Sequence, residues 1–304
     1  MEKITYLGLP NCYRLSNETV EVIVATDVGP RVLAYGFRGG GNVFGEVPES
    51  RVTTALGDFK PWGGHRLWTA PEVNPRSYAP DGAPVEFEFV GQSKVRLIGP
   101  VEPHTGVQKV ISVTLDAAGS GVTVRHRLLN RGAWAIETGL WALTIMRGGG
   151  EAVFPQEPFR SWGNYLLPAR PLVLWHYTDL TDARITLGRK FLRLRTDAAA
   201  EDPQKFGLMN KQGWAAYLHG PTLFVKRFPF EEGANYPDYG CNTEAFTAGS
   251  FIEIESLSPL RRLEPGATAE HTERWHLFPD FDAGATDDSL ADALSAVLPQ
   301  TEIQ

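Results

Sequence analysis

The stretch GVTVRHRL, residues 121–128, shows the pattern that decides the fold. Val122, Val124, His126 and Leu128 alternate with polar side chains at the positions between them. Successive side chains of a β-strand point to opposite faces, so this pattern predicts a strand with one buried and one polar face. His126 shares its face with three apolar residues, and we interpret it as a core histidine.

The same alternation recurs along most of the chain, for example in TVEVIV (19–24) and PVEFEF (84–89). It predicts roughly eighteen to twenty strands, too many for a single immunoglobulin-sized sandwich. The sequence also holds 31 glycines and 22 prolines in 304 residues. Both residue types destabilise helix interiors, so this density favours short strands joined by tight turns.

One segment, residues 286–298, predicts a helix. Leu290 and Leu294 fall on one of its faces, and Pro299 ends it. Thr286 or Asp287 can cap its first turn. No change in composition marks a linker, so we predict an all-β antiparallel sandwich domain over residues 1–280 and a helical tail over 281–304.

Composition excludes several classes of protein. The formal net charge of −7 argues against a general nucleic-acid binder, which needs a basic face. The longest apolar runs reach about half of the ~20 residues that a membrane helix requires, and the N-terminus lacks the apolar core of a signal peptide. Two cysteines, Cys12 and Cys241, cannot build a disulfide scaffold. We therefore expect a reduced, cytoplasmic protein with no membrane partner.

Common cofactor and metal motifs are missing from the sequence. It contains neither a G-x-S-x-G nucleophile elbow nor a phosphate-binding G-x-x-x-x-G-K-[ST] loop. His271 and His276 are five residues apart, so in a strand they face opposite sides and do not ligate one metal. We predict no cofactor and no metal.

The first candidate binding segment is KPWGGHRLWTAPE, residues 60–72. Aromatic faces stack on the apolar side of a sugar ring, while cationic and acidic groups bond its hydroxyls. A core strand with one surface arginine would explain the same residues. We take the segment as part of a sugar site, and its candidate residues are Trp62, His65, Arg66, Trp68 and Glu72.

The second candidate segment is FIEIESLSP, residues 251–259. Alternation puts Ile252 and Ile254 on one face and Glu253 and Glu255 on the other, with the two glutamates ~6.7 Å apart along the strand. Neighbouring carboxylates raise one another's pKa, which suits a general base. The alternative is a solvated sheet face.

Two further regions add candidates. The polar and aromatic loop YPDYGCNTEAF (236–246) contains Asp238 and Glu244. Lys226 lies just upstream and would supply a cation if it points inward. Trp141 is either a core residue or a platform for a sugar ring.

Three segments resemble a known family. They are GGHRLW (63–68), LLNRGAWAIETGLWALTIM (128–146) and FIEIESLSPLRRLEPG (251–266). In element order and in these segments, the chain resembles the galactose mutarotase-like superfamily, specifically its aldose-1-epimerase-related bacterial branch. The resemblance implies a β-supersandwich with a carbohydrate cleft.

The resemblance also implies roles for individual residues. In the family, a glutamate takes the proton of the anomeric hydroxyl and a histidine protonates the ring oxygen. The family's base maps to Glu255, with Pro259 following it, and a substrate-binding arginine maps to Arg66. Trp141 stands near the position expected for the histidine, so either His65 substitutes as the acid or the activity is different or absent.

Two functions remain open at this stage. The first is an aldose 1-epimerase-like enzyme that interconverts sugar anomers with Glu255 and His65. The second is a carbohydrate-binding module that keeps the same cleft without turnover. Both predict a small carbohydrate as the partner, and neither predicts the oligomeric state.

Overall fold

The computed structural model describes residues 1–91 and 93–303. It is nearly all antiparallel sheet, with 48% of residues in strands and 7% in helices, which confirms the predicted fold class. The described residues form 25 strands, more than expected, because several connections contain strands of only two or three residues.

The strands in chain order are β1 Glu2–Tyr6, β2 Leu9–Ser16, β3 Val20–Ala25, β4 Arg31–Phe37, β5 Glu46–Val47, β6 Val52–Thr54, β7 Gly57–Phe59, β8 Trp62–Gly63, β9 His65–Ala70, β10 Glu86–Phe89, β11 Lys94–Val101, β12 Val107–Leu115, β13 Val122–Asn130, β14 Ile136–Met146, β15 Glu151–Pro155, β16 Leu172–Leu174, β17 Ile185–Leu187, β18 Phe191–Arg195, β19 Gln204–Leu208, β20 Trp214–His219, β21 Thr222–Arg227, β22 Thr243–Ala248, β23 Phe251–Leu257, β24 Arg261–Leu263 and β25 Thr268–Phe278.

Two large antiparallel sheets pack face to face. The first sheet has the order β1-β2-β3-β4-β9-β14-β23-β22-β19-β16, with β24 paired to β14. The second has the order β10-β11-β12-β13-β25-β21-β20-β15-β18-β17. Two short hairpin-like pairs, β5-β8 and β6-β7, lie outside these sheets. The central strands β9, β14 and β23 of the first sheet carry five of the candidate residues, His65, Arg66, Trp68, Trp141 and Glu255.

The main core lies between the two sheets. Leu67 and Ile254 from the first sheet meet Val124 and Trp275 from the second, and all four are buried. This is the arrangement that alternation predicts, because every second residue of each strand points inward. The strands β9 and β23 are buried on both faces, however, since loops cover the outer face of the first sheet. A smaller apolar cluster around Trp68, Trp141 and Leu143 forms there.

Two helices complete the described chain, the turn-like α1 Pro237–Gly240 and the C-terminal α2 Asp287–Val297. The side chain of Thr286 caps α2, and Leu290 and Leu294 pack against residues of the second sheet such as Trp214. This confirms the predicted C-terminal helix. With 11 residues in α2, neither helix of the described ranges is long enough to cross a bilayer.

Candidate functional site

A cleft of about 450 Å³ opens on the outer face of the first sheet, over β9, β14 and β23. This volume lies within the usual range for small-molecule sites, roughly 300–1,000 Å³. Loops and short strands from distant parts of the sequence form its walls. Its lining residues are Val52, Phe59, Pro61, Arg66, Trp68, Glu72, Tyr78, Trp141, Leu143, Trp175, Tyr177, Pro203, Lys205, Phe246, Glu253 and Glu255.

Glu255 lies at the floor of the cleft, on the outward face of β23. It is fully buried, and its Oε2 accepts a hydrogen bond from the indole Nε1 of Trp141 at 2.8 Å and from Lys205 Nζ at 3.2 Å. Its other oxygen, Oε1, has no hydrogen-bond partner among the described residues. One oxygen of this carboxyl group is thus held in place, and the other is available to a ligand.

Lys205 and Glu244 complete the surroundings of Glu255. Glu244 stands opposite Glu255 in the β22–β23 register, and its Oε2 lies 2.8 Å from Lys205 Nζ. Burial raises the pKa of Glu244 well above its usual value, and the nearby charge of Glu255 raises it further. Burial alone would lower the pKa of Lys205, but the two carboxyl groups outweigh that effect and raise it. One ammonium thus lies within 3.2 Å of both carboxyl groups, and burial favours the protonated form of Glu244.

A second ion pair lies beside the first. Arg66 on β9 places Nη2 3.0 Å from Oε1 of Glu253 on β23, and both side chains are mostly buried. Burial raises the pKa of Glu253, while Arg66 lowers it. The Nε and Nη1 atoms of Arg66 have no partner among the described residues, so they can donate to a ligand.

Aromatic rings surround these charges. The Arg66 guanidinium lies 4.5 Å from the centroid of the Trp68 ring, and Lys205 Nζ lies 4.7 Å from the centroids of both Trp141 and Trp175. Trp68 and Trp141 are only 4% and 2% exposed, so they form the floor rather than an open platform. Tyr177, at 43% exposure, offers a more accessible ring at the wall.

The tyrosine hydroxyls at the walls differ in their contacts. The hydroxyl of Tyr78 donates to Oε1 of Glu72 at the rim of the cleft. Burial raises the pKa of Tyr177 to about 12, so this group keeps its proton at neutral pH. Unlike Tyr78, Tyr177 makes no side-chain hydrogen bond within the described part of the chain.

His65 does not lie in the cleft, which corrects the prediction that it is the acid. It precedes Arg66 in β9, and adjacent residues of a strand point to opposite faces. Arg66 faces the cleft, so His65 points into the space between the sheets, where it is fully buried. There its Nδ1 lies 2.8 Å from the Thr144 hydroxyl and its Nε2 lies 2.6 Å from Nε2 of His126.

These interior histidines form a hydrogen-bonded chain. His126 Nδ1 donates to the carbonyl oxygen of His271 at 3.0 Å, so in the neutral ring its Nε2 accepts from His65. Burial lowers the pKa of His126 and of His271 to about 3, and it lowers that of His65 well below its usual value. All three rings are therefore neutral at physiological pH, and His126 is a core residue as expected.

The group His65, His126 and Glu273 also has the composition of a metal site. Its geometry fits hydrogen bonds better. Two nitrogens bound to one metal at about 2.0–2.1 Å in tetrahedral geometry stand well over 3 Å apart, whereas the two Nε2 atoms are 2.6 Å apart. Glu273 already accepts from Lys226, 2.9 Å away, and from the indole of Trp275.

Lys226 is likewise an interior residue and not part of the cleft, contrary to the prediction. It is fully buried, and besides Glu273 it donates to the carbonyl oxygens of Ile254, at 3.0 Å, and Ala142, at 3.4 Å. An isolated buried ammonium would be costly, but this one is paired and hydrogen-bonded. Through these bonds it contacts strands β14 and β23 on the face that points toward the second sheet.

Two other predicted residues stand outside the lining. Trp62, with φ 61°, packs against a separate apolar cluster that includes Ile4 and Tyr6. Asp238 lies in α1 beside Glu244, behind Lys205, and burial raises its pKa. The structure thus brings together Arg66, Trp68, Glu72, Trp141 and Glu255, with Glu244 directly behind them.

Sequence reasoning missed several lining residues. Lys205 is the one charged residue of β19 and is followed there by Phe206, Gly207 and Leu208, and a lone lysine in such a strand is a signal that could have been used. Trp175 and Tyr177 lie in a turn that follows β16, closed by a bond from the N–H of Thr178 to the carbonyl oxygen of Trp175, and a turn has no side-chain period that could have identified them. Tyr78 is the last residue of a short helical turn and carried no comparable signal.

Comparisons with known proteins bear on the fold. No protein-family model and no curated protein matches this sequence. A TPR-domain containing protein from Parabacteroides distasonis aligns at TM-score 0.59 and 14% identity over 91% of this chain, which spans only 49% of that protein.

Two smaller proteins align over most of their length. One, titled "putative aldose 1-epimerase", is from Klebsiella pneumoniae and aligns at TM-score 0.58 and 12% identity, covering 93% of this chain and 82% of that one. The other is a galactose mutarotase-like protein from Lactobacillus casei, at TM-score 0.51 and 11% identity, covering 88% and 100%. Identities this low establish the fold alone. The chain has the galactose mutarotase-like fold.

Proposed function

We propose that the cleft binds a sugar ring and that the protein interconverts its anomers, with Glu255 as the general base. The observation that carries the proposal is the carboxyl group of Glu255. It is fully buried beneath the cleft, with Oε2 fixed by Trp141 and Lys205 and Oε1 without a partner among the described residues. An unpaired buried acceptor is costly unless a ligand donates to it.

The proposed chemistry is an opening and reclosing of the ring. Glu255 Oε1 takes the proton of the anomeric hydroxyl, the bond from the anomeric carbon to the ring oxygen breaks, and the ring oxygen takes a proton. The resulting aldehyde rotates, the ring oxygen adds to its other face, and the two protons return. Two nitrogens of Arg66, Nε and Nη1, have no partner among the described residues and can orient the hydroxyls.

The proton for the ring oxygen needs a donor in the cleft. Lys205 is held by two carboxyl groups and Tyr78 by Glu72. Tyr177 is the lining hydroxyl that makes no other side-chain bond in the described ranges and keeps its proton at neutral pH, so we assign it as the donor.

Polarimetric mutarotation of a panel of aldoses tests this proposal, with ligand-induced shifts in melting temperature measured alongside. Glu255→Gln keeps the shape of the side chain but removes proton acceptance, so turnover should fall about 10²–10⁴-fold while affinity stays within a few-fold. Glu264→Gln, an exposed surface change, is the control. Full turnover in Glu255→Gln would overturn the assignment.

Sugar binding without turnover is the second candidate. The observation that favours it is the interior position of His65, since none of the described residues lining the cleft is a histidine. Wild-type protein that shifts its melting temperature with a sugar but does not accelerate mutarotation of any aldose in the panel would establish this alternative.

A further inference from the structure

We propose that the cleft selects sugars that carry a free amino group, such as the 2-amino-2-deoxy aldoses, over sugar phosphates and uronic acids. This inference rests on the proposed sugar binding and names its substrate class. It comes from the balance of charges in and behind the cleft.

Acidic groups outnumber basic ones at this site. Three carboxyl groups, those of Glu72, Glu253 and Glu255, line the cleft, and Glu244 lies directly behind them. The described lining residues include two cations, Arg66 and Lys205. Each of these is already within 3.2 Å of a glutamate oxygen.

Because both cations are already paired with glutamates, they offer little uncompensated positive charge to an anionic ligand. A phosphate or carboxylate is typically bound by an arginine or lysine whose charge is free to form a bidentate or charge-assisted contact. Here the charge of Arg66 is already balanced by Glu253, 3.0 Å away, and the remaining carboxylates would repel the ligand. Repulsive elements of this kind set specificity as much as attractive ones do.

The same charges favour a cationic ligand. Glu255 lines the cleft, and its buried Oε1 atom has no partner among the described residues. A sugar ammonium can donate to such an oxygen, and charge-assisted hydrogen bonds are about twice as strong as neutral ones. The partly open rings of Trp175 and Tyr177 add faces that attract a cation.

The protonation states of the buried acids link binding to pH. Burial raises the pKa values of Glu244 and Glu253, and the nearby charge of Glu255 adds to this effect, although Lys205 and Arg66 oppose it. A bound ammonium stabilises their ionised forms and thereby lowers those pKa values. Binding should therefore release protons, whereas an uncharged sugar should release few.

Isothermal titration calorimetry of the wild-type protein tests the inference with matched ligands. Glucosamine, galactosamine and mannosamine are each compared with the parent aldose, the N-acetyl derivative, the 6-phosphate and the uronic acid of the same configuration. For the configuration that fits, the amine should bind about tenfold or more tightly than the parent aldose. Titration at about pH 6, where the sugar amine is already protonated, in buffers of different ionisation enthalpy should show proton release for the amine.

A charge variant tests whether the carboxylates of the cleft cause the preference for the amine. Glu72→Gln preserves the size of the rim residue and removes one negative charge, so it should reduce the preference for the amine over the parent aldose. Glu86→Gln makes the same charge change on the exposed β10 strand and should leave that ratio unchanged. Added salt should also weaken the binding of the amine more than the binding of the parent aldose.

The outcomes separate the two proposals. A parent aldose that binds as tightly as its amine, or a 6-phosphate or uronic acid that binds more tightly, overturns the inference and leaves the proposed sugar binding intact. If the amine is preferred but no protons are released, binding is not linked to the buried acids, and this result also counts against the inference. If no sugar of any class binds, the proposed function fails as well.

Discussion

Glu244 and Glu255 stand directly opposite each other on β22 and β23, and a single ammonium, Lys205 Nζ, lies 2.8 Å from the first and 3.2 Å from the second. Two like charges on neighbouring strands destabilise a sheet unless a cation or a proton separates them. Here Lys205 bridges the pair, and burial raises the pKa of Glu244, which favours its protonated form.

The first prediction concerns this bridge. Lys205→Met leaves two buried carboxyl groups without their cation, and breaking a buried ion pair typically costs about 3–5 kcal/mol. Chemical denaturation should show a loss of this order. The double variant Lys205→Met, Glu244→Gln should recover part of it, since fewer charges are then left uncompensated.

Lys211→Met is the control for that measurement. Lys211 pairs with Glu232 on the surface, at 3.1 Å, and exposed pairs contribute about 0–1 kcal/mol. Equal losses in the two lysine variants would contradict the importance given to the buried bridge.

The second prediction is a pH dependence of stability. A carboxyl group whose pKa is raised on folding binds its proton more tightly in the folded protein. The contribution of Glu244 is therefore present below its usual value of 4.5 and is lost as the pH rises through its raised pKa. Above pH 4.5, the free energy of unfolding of the wild-type protein should fall with pH more steeply than that of Glu244→Gln. Parallel pH profiles would show that Glu244 is already ionised.

The third prediction concerns the interior histidines. The pKa of His126 is lowered to about 3, so its ring should not titrate while the protein stays folded above about pH 4. Nitrogen-detected NMR should find the proton on Nδ1 of His126 and on Nε2 of His65, as the hydrogen bonds require. A His126 signal that titrates near its unperturbed pKa of about 6.5 would contradict this arrangement.

The fourth prediction tests the proton donor. Tyr177→Phe removes one hydroxyl from the wall of the cleft and should lower mutarotation by about 10²–10⁴-fold with sugar affinity nearly unchanged. Tyr78→Phe is the matched comparison, because its hydroxyl is already bonded to Glu72, and its effect on turnover should be much smaller. A larger loss in Tyr78→Phe would reverse the assignment.

Local sequence patterns were sufficient for several features. Alternation alone assigned Ile252 and Ile254 to one face of β23 and Glu253 and Glu255 to the other, as observed. The apolar spacing of residues 286–298 and the stop at Pro299 predicted α2. The same alternation rule also shows why His65 and Arg66 do not both face one cleft, since they are adjacent in β9.

The tertiary structure decided which of two equivalent faces each strand presents to the core. Lys226 and Lys205 both sit in largely apolar strands, yet Lys226 points between the sheets toward Glu273 and Lys205 points into the cleft toward Glu255. A period of two determines which residues of a strand share a face. It does not determine whether that face packs against the core or lines the cleft. The partner of each lysine lies about fifty residues away in sequence, and only strand pairing brings them within hydrogen-bond distance.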